Sequence, residues 1–140
     1  MRPKRSTFKF KGGLEEANAA FLRSRGIAFK YEALKLHYTV PARPATYRPD
    51  FLLPNGIIVE TKGLFETADR HKMLLIKQQF PDIDIRMVFS SSKKKIYKGS
   101  PTSYGAWCDK HGFKYADKLI PEEWLSEPAK PLPAGIEAKE

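Results

Sequence analysis

The stretch Phe51-Leu52-Leu53-Pro54-Asn55-Gly56-Ile57-Ile58-Val59-Glu60-Thr61-Lys62 leaves few folds open. Pro54 sets one φ, Asn55 follows in a helical conformation and Gly56 takes the left-handed position, as a three-residue hairpin loop requires. A loop centred on Asn55 pairs Leu53 with Ile57 and, counted outward, Asp50 with Glu60. Directly opposed residues place their Cβ atoms roughly 4.5–5.5 Å apart on one face. Lys62, two residues beyond Glu60, leaves the strand from that same face. The hairpin therefore gathers two carboxylates and one ammonium.

Two like charges so close, beside apolar residues, repel unless a cation sits between them. Mg²⁺ suits such a pair, taking a couple of carboxylate oxygens and keeping water and phosphate as its other ligands. Lys62 could orient or deprotonate a water, or neutralise a developing oxyanion. These are the parts needed to hydrolyse a phosphodiester. The bland alternative is an exposed cross-strand salt network. The tripeptide alone is weak, since Glu137-Ala138-Lys139 repeats it in a Pro-rich tail with nothing to hold it rigid. The hairpin register and the apolar run Ile57-Ile58-Val59, which buries the strand up to the charges, favour the functional reading.

Charge points to the partner. The chain of 140 residues carries 25 Lys+Arg against 16 Asp+Glu, formally +9. That balance suggests a polyanion, nucleic acid before an anionic membrane. The charge is also clustered: Arg2, Lys4, Arg5, Lys9 and Lys11 form one acid-free group, and Lys93, Lys94, Lys95 and Lys98 another. A solvated tail and loop is the ordinary reading of such runs, but two acid-free groups in a small chain favour nucleic-acid contact. No apolar run approaches the ~20 residues of a membrane span, and the basic N-terminus has no apolar stretch after it, so neither a membrane partner nor a secretory signal is expected. Cys108 is the sole cysteine, which excludes an internal disulfide and fits a reducing, cytoplasmic setting. Cys108 and His111 could share a helix face, but His37 and His71 lack the spacing to complete a zinc site.

At 140 residues the chain is long enough for one domain with a real core but too short for two, and 41% hydrophobic residues argue against disorder. Residues 1–12 read as a flexible basic arm and 13–126 as the single domain. Apolar spacing predicts a helix over 14–25, an N-cap at Thr67 and the stop at Pro81 predict a second to Phe80, and Ser100-Pro101 as N-cap and N1 predict a third ending at Gly112. A helical turn is expected near 121–126. Strands are predicted within 27–40, in the hairpin and over 83–89. Pro41 and Pro44 make 41–46 a stiff extended connector, and 127–140 reads as a disordered tail. The fold class is α/β (α+β), a mixed central sheet flanked by helices.

Pro49-Asp50, nine residues, then Glu60-Thr61-Lys62 resembles the PD-(D/E)xK motif of restriction-endonuclease-like nucleases. Gly13-Leu14-Glu15, Tyr47 through Ile57, Val59 through Leu64, Val88-Phe89-Ser90-Ser91-Ser92 and Tyr97 through Gly105 are together similar to the phage endonuclease I family of Holliday-junction resolvases, over residues 12–126. The resemblance implies metal ligation by Asp50, Glu60 and the Thr61 main-chain carbonyl, and a catalytic role for Lys62. It adds Glu15, otherwise an ordinary acid suited to a helix N-terminus, as a further catalytic and metal-binding carboxylate. It implies one or two Mg²⁺ per site, with Mn²⁺ able to substitute, and a host-cytoplasmic location if phage-encoded. It also implies an intertwined, domain-swapped homodimer whose active sites are shared between chains and bridged by 41–46. Lys30 stands where the family pattern carries an acid, and the 127–140 tail lacks the expected basic excess.

The function expected is structure-selective cleavage of four-way and branched DNA. A broadly acting DNase and a catalytically silent junction-binding protein are the alternatives. An RNA-binding accessory role rests on charge alone.

Overall fold

The computed structural model describes residues 12–138, so Arg2, Lys4, Arg5, Lys9 and Lys11 lie outside it. Helix α1 (Gly13–Ser24) buries Ala19 and Leu22 and carries Glu15 and Glu16 in its first turn, where the helix dipole favours acids. Gly26, at φ 65°, lets the chain leave the helix. Strands β1 (Lys30–Tyr31), β2 (Leu34–Val40), β3 (Arg43–Tyr47), β4 (Phe51–Leu52) and β5 (Ile58–Lys62) follow. Helix α2 (Thr67–Gln79), strand β6 (Ile85–Phe89), helix α3 (Tyr104–His111), strand β7 (Tyr115–Asp117), helix α4 (Glu122–Leu125) and strand β8 (Ile136–Ala138) complete the order.

A mixed sheet runs β1-β4-β5-β6-β7, with β1–β4–β5 antiparallel and β5–β6–β7 parallel. The parallel neighbours are joined through α2 and α3, as parallel strands require. An antiparallel sheet, β3-β2-β8, packs beside it. The central strands are covered on both faces. Ile58, Met87 and Phe89 meet Met73, Ile76 and Trp107 in one core, whereas Val59 and Val88 meet Ala19, Leu22 and Trp124 in the other.

The hairpin has the expected register: Phe51 faces Val59 and Leu52 faces Ile58. The Leu53 N–H donates to the Ile57 carbonyl at 2.9 Å, and the Gly56 N–H to the Leu53 carbonyl at 3.0 Å. Gly56 has φ 91°, and a Cβ there would sit 2.2 Å from the Lys130 carbonyl oxygen. Gly56→Ala is therefore expected to cost at least about 2 kcal/mol in urea denaturation, through backbone strain and the clash together.

Three sequence expectations are corrected. The 127–140 tail is not disordered through residue 138. Lys130 N–H donates to the Asn55 carbonyl, Glu127 pairs with Arg86, and β8 pairs with β2. Its prolines forbid a helix but not docking onto an open sheet edge. The 41–46 connector does join a ladder, Thr39 facing Pro44, because β3 is an edge strand where a missing N–H can face away from the sheet. The helix boundaries also shift. Glu66 rather than Thr67 caps α2, in a capping box with Asp69. Ser103 rather than Ser100 caps α3, its Oγ accepting from the Ala106 N–H at 3.0 Å.

Candidate active site

The antiparallel pairing of β4 and β5 places Asp50 just outside the ladder, opposite Glu60. Both carboxylates are 6% exposed. The Thr61 N–H and hydroxyl donate to Asp50 Oδ2 at 2.9 and 2.8 Å, and the Asp50 N–H donates to Glu60 Oε1 at 3.3 Å. Each strand thus holds the other's acid. The Tyr47 hydroxyl, at the end of β3, donates to the same Glu60 oxygen at 2.6 Å.

Lys62 Nζ lies 3.6 Å from Glu60 Oε2 and 3.2 Å from Asp69 Oδ1. Burial works against its charge, but Glu60 and Asp69 outweigh that and hold its pKa above the ordinary lysine value. Burial, reinforced by the Glu60 charge, pushes Asp50 up to about 8 against the opposing Thr61 hydrogen bonds. Burial also raises Glu60, with the Tyr47 hydroxyl and Lys62 pulling the other way. Burial and the neighbouring Glu60 raise the Tyr47 phenol, keeping it a hydrogen-bond donor.

These groups line an open cleft of about 330 Å³. Glu15, from α1 of the same chain, lines it too and adds to the repulsion on Asp50. The Tyr31 hydroxyl donates to Glu15 Oε1. One chain therefore brings Glu15, Asp50, Glu60 and Lys62 together, and no second chain is needed for that.

The remaining sequence-predicted residues lie elsewhere. Lys93, Lys94, Lys95 and Lys98 are exposed on the excursion between β6 and α3, with Lys95 Nζ 3.4 Å from the Pro101 carbonyl. Tyr47, Asp69, Glu32, Arg48 and Lys72 belong to the site or its lining but escaped the sequence reading. In the sequence Tyr47 stands out only as part of a motif. Asp69 reaches Lys62 through the placement of α2, for which no local periodicity gives a signal.

Among the described residues, no three His, Cys, Asp or Glu side chains converge on one metal position. Asp50 and Glu60 nevertheless form a hard-oxygen pair in a polar cleft, which fits a cation that completes its shell with water and phosphate better than one needing an all-protein cage. The parallel with known proteins is direct: the phage endonuclease I family model matches residues 2–140. The chain belongs to the phage endonuclease I family. Endonuclease I of Escherichia phage T7 is 61% identical over 124 residues, covering 89% of this chain and 83% of that protein. Endodeoxyribonuclease 1 of Enterobacteria phage T3 is 56% identical over 124 residues, covering 89% and 82%.

This member of the phage endonuclease I family carries Lys30 exposed on β1, facing Leu52 across the ladder. The nearby acid that does line the cleft is Glu32, whose N–H donates to the Asp50 carbonyl at 3.0 Å. A divalent ion held here would take the ionised form of Asp50, so the pKa of about 8 would make its binding proton-linked. At subsaturating metal, single-turnover cleavage is expected to rise about tenfold per pH unit below pH 8 and level off above it. A profile flat from pH 6 to 9 would contradict that assignment.

Proposed function

We propose that this chain is a structure-selective endodeoxyribonuclease that cuts four-way and branched DNA by metal-dependent phosphodiester hydrolysis. The reading rests on the opposed, buried pair Asp50 and Glu60 beside the Lys62 ammonium in an open cleft. Mg²⁺, or Mn²⁺ in its place, as one or two ions per site, would supply Lewis acidity and offset the charge that builds on the phosphorus oxygens. Asp50 and Glu60 would hold it, with Glu15 and the Thr61 main-chain carbonyl as further oxygen donors.

The protein groups have separate tasks. Thr61 fixes Asp50, and Tyr47 fixes Glu60, so neither carboxylate must reorganise when substrate arrives. Lys62 orients the attacking water and counters negative charge at the scissile phosphate. Lys93, Lys94, Lys95 and Lys98, together with Arg2, Lys4, Arg5, Lys9 and Lys11, would bind phosphates without reading sequence.

The fold is proposed to be restriction-endonuclease-like and the working unit an intertwined homodimer. The turn between β2 and β3 is the natural exchange point. Ala42 there has φ 154°, a strained value for a residue with a Cβ, and opening the turn would relieve it. Exchange at this point would return α1 and the β4–β5 hairpin to the same contacts between two chains, with two sites for one junction. No helix among the described residues is long and apolar enough to cross a membrane.

Cleavage of a labelled four-way junction against a matched linear duplex in Mg²⁺ tests the reading. Preferential cutting of the junction is expected. Equal cutting would favour a broadly acting DNase, and junction binding without cutting would favour a silent binding protein.

A further inference from the structure

Leu64 and Tyr97 are the most exposed large hydrophobic side chains among the described residues, each 61% exposed. They are distant in sequence but share one anchor. Nη1 of buried Arg70 donates to the Phe65 carbonyl at 2.6 Å and to the Ile96 carbonyl at 3.2 Å. Its Nη2 donates to Thr67 Oγ1 at 3.0 Å. The immediate chain neighbours of Leu64 and Tyr97 are therefore tied through their carbonyls to one guanidinium nitrogen.

The segments on either side are held as well. Phe65 packs edge-on against Tyr104 and Trp107, at 5.7 and 4.9 Å between centroids. The Ile96 N–H donates to the Thr102 carbonyl at 2.9 Å, and the Ser100 N–H to the Tyr97 carbonyl at 3.0 Å. Lys95 and Ser103 form an antiparallel bridge. Tyr97 is thus presented on an ordered platform.

An isolated exposed Leu or Tyr needs no explanation. Placement makes this pair informative. Leu64 stands two residues beyond Lys62, at the end of the strand that carries the site. Tyr97 stands among exposed Lys93, Lys94, Lys95 and Lys98, and residues 91–108 contain no acid. Apolar and aromatic faces framed by phosphate-binding ammonium groups match a nucleic acid with an uncovered base face. A linear duplex offers none in its interior, because each base is stacked on its neighbours. A branch point interrupts the stack.

We propose that Leu64 and Tyr97, held in common by Arg70, form an apolar contact for the unstacked base face at a DNA branch point and set the preference for branched over linear DNA. This rests on the endonuclease reading above. The test uses the full-length Leu64→Ala/Tyr97→Ala variant, with the wild type and Tyr97→Phe beside it. Binding is measured in a chelator to a four-way junction carrying 2-aminopurine at the branch and to a matched linear duplex. The wild type is expected to change the probe's fluorescence. The double variant should lose that change and about tenfold in junction affinity, with less than a twofold loss on the duplex and an unchanged salt slope. Tyr97→Phe should keep the wild-type signal, and melting temperatures should agree.

Wild-type junction affinity and signal in the double variant would overturn the proposal. So would a loss of self-association by that variant in sedimentation, which would make the pair a protein–protein contact. A wild type that neither binds nor cuts any DNA would instead overturn the endonuclease reading itself.

Discussion

An Asp50→Asn variant is expected to lose at least about a thousand-fold in cleavage rate and, without metal, to melt at a higher temperature than the parent chain. The two effects share a cause. Asp50 lies buried opposite Glu60, and its pKa is pushed up to about 8 from the ordinary 3.8. Between those values the folded chain binds more protons at this position than the unfolded chain does, so raising the pH destabilises the fold through this group. That contribution is absent below about pH 4, grows through pH 8 and is fully developed above it. Asparagine keeps an oxygen for the Thr61 N–H and hydroxyl but carries no charge to repel Glu60. The variant should gain at least about 1 kcal/mol at pH 9 in a chelator, roughly 3 °C or more for a chain of this size. The same substitution removes a proposed metal-holding oxygen, so added Mg²⁺ should raise the melting temperature of the parent only. Scanning calorimetry at pH 5 and pH 9 checks the sign. A variant less stable than the parent at both pH values would show that Asp50 is not under repulsion.

The largest stability loss is expected for Arg86→Ala. Arg86 is 1% exposed and donates to Asp84 at 2.8 Å from both Nε and Nη2. It also donates to Glu127 at 2.7 and 2.8 Å, and its guanidinium lies 5.2 Å from the Trp124 ring centroid. Removing it leaves a cavity, Glu127 without its partner and Asp84 with only the exposed Lys130 ammonium at 2.7 Å, which should cost about 3–5 kcal/mol. Glu127→Ala should cost less, because Glu127 keeps 31% exposure and Asp84 would still satisfy the guanidinium. Arg86→Lys should fall between, since one ammonium cannot reproduce two forked contacts. Urea denaturation orders the three; a loss below about 1 kcal/mol for Arg86→Ala would contradict the clamp.

That clamp also shows where sequence reasoning stops. The β4–β5 hairpin was legible because its signals are local: turn chemistry at Pro54-Asn55-Gly56 and alternation along the strand fix which residues oppose. These local signals place Asp50, Glu60 and Lys62 side by side, while Glu15 follows only from the family resemblance. The tail's composition describes what it does alone, whereas its order comes from Arg86, Asn55 and the open edge of β2, all distant in sequence. Tyr47 and Asp69 escaped for the same reason. Each reaches its partner through the packing of a whole element, and neither spacing nor type marks it out. At the α3 start, two serines fit the capping pattern. Ser100 spends its hydroxyl on a turn to the Thr102 N–H at 3.0 Å, which leaves Ser103 as the cap.

The opposed carboxylates are the centre of the functional account. Single-turnover cleavage of an end-labelled four-way junction by the wild type and by Glu60→Gln, each with Mg²⁺ and with chelator, tests them most directly. Cutting by the wild type in Mg²⁺ alone is the predicted result, with Glu60→Gln bound to the junction and at least about a thousand-fold slower. Cleavage by Glu60→Gln within about tenfold of the wild type, or equal cutting in chelator, would contradict the account.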